Sequence, residues 1–264
     1  MIIEEINKND LTQILKVLSS KAKEFEGKVD KTIRKALLGY QTDEMVGMYP
    51  QDSEITLFTY KNYKVTVVIE YEFIDLTYIL YKDNEEILSA TKRNREDIVW
   101  DEHDEYVTRP GKPYGYFVGL IANQLDDINV QDNLYNVLKQ KQDSIIKDAV
   151  SPINYDKGNH LSYNKTVDLG KYHLTIDAVA DLMKEGDGES DYISLDVCYG
   201  LCNNTNELIA NGVSSELYIR ATGKDIPEDL RQDMPSEAEY AECAEIAFAD
   251  VIGKLLCNSN FIPK

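Results

Sequence analysis

The chain has 264 residues, of which 43% are hydrophobic, and its formal net charge is −19. This apolar content is sufficient for a folded core, so the charge does not imply disorder. No basic leader precedes an apolar segment and no run of about 18 apolar residues occurs, so we expect a soluble, cytoplasmic protein without a membrane-spanning helix. The four cysteines are too sparse for a disulfide-dependent scaffold.

The first fifty residues predict a long amphipathic helix. Apolar residues recur at steps of three or four from Leu11 to Leu37, and Asp10 can cap the helix. Gly27 weakens its middle by ~1 kcal/mol and predicts a bend or a division into two helices. The polar positions are predominantly basic. We expect this basic side to dock on the acidic remainder of the protein; the alternative is contact with a separate acidic partner.

The densest run of β-branched and aromatic residues extends from Ile55 to Leu80. Lys61-Asn62 interrupts it as a two-residue turn, which predicts an antiparallel hairpin. Further strands are predicted at residues 76–81, 86–90 and 98–100, the last as an edge strand. A Pro- and Gly-rich loop then precedes a helix whose apolar face includes Phe117, Leu120, Ile121, Leu125 and Ile128.

A second copy of this pattern follows. Residues 131–149 predict a helix with Asp132 as a candidate cap. Strands are predicted at residues 166–169, 172–182, 192–199, 206–210 and 216–220. The last helix begins with a capping box, Ser236 with Glu239. It is expected to bury Tyr240, Ala244, Phe248, Val251, Ile252 and Leu255.

The order of helix, four or five strands, loop and helix therefore occurs twice. Tyr63 corresponds to Tyr172 and Tyr116 to Tyr240, but these identities are too few to establish an internal duplication. Runs of strands followed by helices predict an α+β protein with two similar α/antiparallel-β halves and helices on one face of each sheet. The predicted halves are residues 1–130, with the long N-terminal helix, and residues 131–264.

The negative charge is unevenly distributed. Residues 1–50 contain eight basic and eight acidic side chains, so the whole net charge of −19 lies in residues 51–264. Two segments, residues 96–105 and 225–250, are especially acidic. From them we predict a partner-binding surface consisting of Glu96, Asp97, Asp101, Glu102, Asp104, Glu105, Asp225, Glu228, Asp229, Asp233, Glu237, Glu242 and Glu245.

Such a surface repels nucleic acid and anionic membranes and attracts basic proteins. Steering by its field can raise association rates ~10- to 1,000-fold at low salt. Rows of carboxylates can also mimic phosphates and block a nucleic-acid channel. Acidity also keeps cytosolic proteins soluble, and this simpler explanation stays open.

No catalytic residue, metal or cofactor is predicted. His103 lies among carboxylates, but neighbouring strand residues point to opposite faces, so an exposed acidic turn is the better interpretation. Asp187, Glu189 and Asp191 suggest a calcium loop, yet Cys198 occupies the position at which an EF-hand requires glutamate. The spacing of the four cysteines does not favour zinc.

The leading hypothesis is a non-enzymatic acidic protein that engages and inhibits a basic, nucleic-acid-handling partner such as a nuclease. An immunity protein against a nuclease toxin, or a phage protein directed against host defence, would have this character. The alternatives are a metal-dependent hydrolase using scattered carboxylates with His103, and a structural or assembly protein built from the two halves. The sequence specifies neither the partner nor the oligomeric state.

Overall fold

A computed structural model describes residues 7–41, 51–71, 75–92, 98–100, 106–108, 113–126, 128, 133–151, 160–184, 190–221 and 237–258. The helices are α1 (Lys8–Ser20), α2 (Ala22–Gln41), α3 (Tyr114–Asn123), α4 (Leu134–Val150) and α5 (Glu237–Cys257). The strands are β1 (Ser53–Tyr60), β2 (Tyr63–Glu70), β3 (Asp75–Lys82), β4 (Glu85–Lys92), β5 (Ile98–Trp100), β6 (Tyr106–Thr108), β7 (His160–Asp168), β8 (Tyr172–Lys184), β9 (Ser190–Asn203) and β10 (Leu208–Ala221).

The protein is α+β, with two similar halves, as the sequence predicts. Each half contains a four-stranded antiparallel sheet packed with helices, in the order β1-β2-β3-β4 and β10-β9-β8-β7. Compact units comprise Met1–Asp126 and Asp127–Lys264. The predicted division between residues 130 and 131 into two domains stays a prediction, as does the internal duplication.

The N-terminal helical region divides at Lys21, and not at Gly27 as one reading of the sequence suggests. Lys21 closes α1, while Gly27 lies inside α2. The predicted cap was also wrong, because the Asn7 side chain accepts the backbone N–H groups of Asn9 and Asp10. The Asp10 carboxylate instead pairs with Lys61 Nζ at 2.5 Å, which ties α1 to the β1–β2 turn.

The first sheet confirms the predicted hairpin between β1 and β2. Turn residues Lys61, Asp83 and Asn84 have positive φ angles of 52°, 54° and 68°, which two-residue hairpin loops favour. The strand Ile98–Trp100 exists, but it does not extend the four-stranded sheet as a further edge strand. It pairs with β6 in a separate two-stranded sheet.

Aromatic contacts hold the helices of the first unit on its sheet. Phe25 of α2 stacks on Phe58 of β1, with ring centroids 5.6 Å apart. The Tyr114 hydroxyl of α3 donates to the Leu18 carbonyl of α1 at 2.8 Å. The Tyr78 ring contacts Tyr114 edge-on, with ring centroids 5.4 Å apart. Burial raises the pKa of the Tyr78 hydroxyl, and the negative charges of Glu26 and Asp30 raise it further.

The second sheet has a strongly apolar inner face against α4 and α5. Alternate residues of β8 and β9 are buried there, as period-two side-chain alternation requires: Leu174, Ile176, Ala178, Ala180, Leu195, Val197, Tyr199 and Leu201. The predicted apolar side of α5 is likewise buried at all six expected positions. Candidate caps Asp132 and Ser236 lie outside the described residues.

The strand β10 corrects the sequence prediction of two short strands at residues 206–210 and 216–220. It is continuous from Leu208 to Ala221, and Gly212 pairs with Tyr199 in its middle. A Cβ atom added to Gly212 would lie 2.0 Å from the carbonyl oxygen of Ala247 in α5. The glycine therefore allows α5 to cross β10 closely and does not end the strand.

Gly212→Ala should lower the free energy of unfolding by about 3 kcal/mol or prevent folding, because backbone atoms of α5 cannot yield to the added methyl group. Gly27→Ala is the matched control. Its added Cβ would meet nothing within 4 Å, so it should raise stability by up to ~1 kcal/mol. Urea unfolding measures both; equal stability of the Gly212→Ala variant and the wild type would contradict this packing.

Tyr199→Phe should leave stability unchanged or raise it by about 1 kcal/mol, because the buried Tyr199 hydroxyl has no hydrogen-bond partner among the described residues. Burial, aided by Cys243 and Asp148, raises the pKa of Tyr199, so the folded state holds this proton more tightly than the unfolded state. Wild-type stability should therefore decline as the pH rises above about 10, and the variant should decline less. Denaturation between pH 8 and 11 tests this, and a steeper decline in the variant would contradict it.

Candidate functional site

Ten of the thirteen predicted partner-binding residues lie outside the described residues: Glu96, Asp97, Asp101, Glu102, Asp104, Glu105, Asp225, Glu228, Asp229 and Asp233. The same holds for His103. Glu237 is the first residue of α5, and Glu242 and Glu245 are exposed on that helix. Asp250, at the end of the same acidic segment, is only 4% exposed and pairs with Lys254 at 2.8 Å, so it is not a surface charge.

The second sheet also has an outer face, opposite the face that packs against α4 and α5. We define the outer face by its described side chains: Ser162, Asn164, Thr166, Asp168, His173, Thr175, Asp177, Val179, Asp181, Ser194, Asp196, Cys198, Gly200, Cys202, Leu208, Asn211, Val213 and Ser215. Not one of these residues is buried. Four are aspartates and none is lysine or arginine.

Strand register brings three of these carboxylates around one apolar residue. Asp196 of β9 is directly opposite Val179 of β8, and Asp177 and Asp181 lie two residues to either side of Val179. Diagonal neighbours of this kind are about 7–8 Å apart. Asn164 of β7 donates from its side-chain amide to Asp177. The carboxylates are therefore spread over adjoining positions, an arrangement suited to several cationic groups of a partner.

A less polar region adjoins the carboxylates. Among the described residues, Leu208 is the one large hydrophobic side chain that is exposed, at 57%. It lies opposite Cys202 and beside Gly200. A Cβ atom on Gly200 would come within 2.7 Å of Thr175 Oγ1, so the glycine allows the Thr175 side chain to pack closely beside Leu208. Apolar side chains beside charged groups are typical of protein-binding surfaces.

The corresponding face of the first sheet is different. Thr66 and Ile79 point away from the helical face, yet their exposures are only 0% and 7%. The charges there are mixed, because Lys64 pairs with Glu54 at 3.4 Å and lies over the Tyr81 ring at 4.6 Å. Among the described residues, the second sheet therefore has an uncovered face without basic side chains, and the first sheet does not.

Thiol and imidazole groups also lie on the outer face. Cys202 is directly opposite His173, and Cys198 is directly opposite Asp177. In the described part of the chain, no group of three or more His, Cys, Asp or Glu side chains is arranged to hold a metal ion. Burial and then the Asp177 carboxylate raise the pKa of the Cys198 thiol, while Lys254 lowers it.

Sequence reasoning missed the outer-face carboxylates because it looked for acidic residues that are close in sequence. Asp177, Asp181 and Asp196 are separated along the chain and meet through the pairing of β8 with β9. Their period-two alternation with Ala178, Ala180 and Val197 was the available signal.

The fold and this face together define an α+β protein with two similar halves and an acidic, uncovered sheet surface on the second. Comparisons of the chain with protein families, curated proteins and solved structures find no match. None of the described helices has the length and apolar character needed to cross a membrane.

Asp177→Asn should increase the rate at which iodoacetamide alkylates Cys198 by about twofold or more, because removal of the neighbouring negative charge favours the reactive thiolate. Asp181→Asn is the control, since Asp181 is opposite Ser194 and not Cys198. Mass spectrometry of the Cys198 peptide over time at pH 8 measures the rate. Equal rates in the two variants would contradict the proximity of Asp177 to the thiol.

Proposed function

We propose that this protein is a non-enzymatic binding protein that engages and inhibits a basic, nucleic-acid-handling protein. The observation that carries the proposal is the outer face of the second sheet, where four aspartates are accompanied by no described lysine or arginine. A face of one charge sign attracts and orients a partner of the opposite sign. Lysine- and arginine-rich surfaces are typical of proteins that bind nucleic acid.

The arrangement of the carboxylates supports multipoint recognition. Asp177, Asp181 and Asp196 occupy neighbouring positions on a paired sheet, which restrains their backbone spacing before a partner binds. Preorganisation of this kind lowers the entropy cost of association. Leu208 adds an apolar contact at the same face, so a partner can exclude water there as well as pair charges.

Inhibition follows from competition for the same cations. A nucleic-acid-handling partner holds phosphates with lysine and arginine side chains, and carboxylates that occupy those side chains displace the phosphates. The acidic segments 96–105 and 225–250 contribute further negative charge to the chain. An immunity protein or an anti-defence protein would act in this way.

The first test is capture of the partner from the source cell or its natural host, followed by kinetics with the purified partner. Asp177→Asn/Asp196→Asn should reduce the association rate about tenfold at low salt, because both charges face the partner. The control Glu85→Gln/Glu86→Gln removes the same charge from exposed positions of β4, which are outside the predicted partner-binding surface, and should change the rate less than twofold. Surface plasmon resonance measures both rates.

Reversal of Asp101, Glu102, Asp104 and Glu105 to lysine is a separate arm that tests the acidic segment predicted from sequence. It too should slow association and flatten its salt dependence. Binding of the wild type that stays constant between about 50 and 300 mM salt would overturn the proposal, because screening strengthens over this range. Stoichiometric zinc, manganese or magnesium in the purified protein would instead favour a hydrolase.

A further inference from the structure

The exposed side of α2 carries a cluster of basic residues within an acidic protein. Lys31, Arg34 and Lys35 are spaced so that they share one side of the helix, and all three are exposed. Two other lysines of the region have partners: Lys21 pairs with Glu24 at 3.4 Å, and Lys28 donates to the Thr56 carbonyl at 2.7 Å. Lys31, Arg34 and Lys35 have no ion pair with any described residue. Their expected docking on the acidic remainder of the protein stays a prediction.

These basic residues line an open, groove-like cavity of about 510 Å³ along α2. Its described lining consists of Gly27, Asp30, Lys31, Arg34 and Lys35, whose charges sum to +2. Like charges three and four residues apart on a helix repel each other, so an anion bound among them would relieve this repulsion.

Gly27 leaves the backbone of α2 accessible beside the basic residues. It lies in the interior of α2, where glycine is unfavourable, and it does not have the positive φ angle that would require glycine. An added Cβ would meet no atom within 4 Å, so packing against the described residues does not require glycine either. Its position in the cavity lining leaves room for a ligand to approach the helix backbone.

From these observations we propose that the cavity along α2 binds a small anion bearing adjacent phosphate groups. The Arg34 guanidinium can hold two phosphate oxygens at once, and Lys31 and Lys35 supply point charges on either side. The net charge of +2 on the described lining residues favours a multiply charged anion over chloride or a single carboxylate. This inference does not depend on the proposed function, since it concerns a different surface.

Isothermal titration calorimetry at 150 mM salt tests the site with inorganic tripolyphosphate and, separately, with ATP. Lys31→Gln/Arg34→Gln/Lys35→Gln should weaken binding roughly 30-fold or more, because three charge-assisted contacts are lost. The matched control Lys16→Gln/Lys21→Gln/Lys23→Gln makes the same change in net charge and should weaken binding less than threefold. Gly27→Leu retains every cation and should still weaken binding at least about tenfold by filling the cavity.

Circular dichroism confirms that each variant keeps its helical content. Equal binding of both probes assigns recognition to the phosphate chain, and tighter binding of ATP assigns it to a nucleotide. The proposal is overturned if the wild type binds neither probe, or if the control variant loses as much affinity as the cavity variant. Tighter binding of a single-stranded oligonucleotide than of tripolyphosphate would also overturn it and indicate a nucleic-acid surface.

Discussion

The pairing of β8 with β9 is the constraint on which the second half of the structure depends. Apolar residues alternate with polar ones along both strands, so one face of the pair packs against the helices through Leu174, Ile176, Val197 and Tyr199. Burial of apolar surface contributes roughly 25 cal/mol per Å², and a slip of one residue would move the whole apolar set into water. The register that buries the core therefore also sets the spacing of the outer-face aspartates.

The close crossing of α5 over β10 reinforces this division between the two faces. Gly212 provides the space, and the Cys243 thiol of α5 approaches the carbonyl oxygens of Leu195 and Ser214 at 3.8 and 3.7 Å. The Phe248 ring meets Tyr199 edge-on, with centroids 5.8 Å apart. α5 packs against the apolar side of the second sheet, so the polar side chains lie on the opposite side. Acidic residues on that side do not disturb core packing.

Sequence patterns predicted which helices and strands exist better than they predicted where these elements end or where the candidate site lies. The hairpin around Lys61 and the buried side of α5 follow from alternation and helical spacing, which are local properties. Continuity of β10 through Gly212 was not predictable, because it depends on the tertiary approach of Ala247. The outer-face carboxylates were missed for the same reason: cross-strand register is a non-local property.

The measurement that tests the central claim most directly is carbodiimide labelling of carboxylates, read by mass spectrometry, in the free protein and in its complex with the captured partner. The account predicts that Asp177 and Asp196 react readily in the free protein and become protected in the complex, while Glu85 and Glu86 of β4 react equally in both. Full reactivity of the two aspartates in the complex would contradict it.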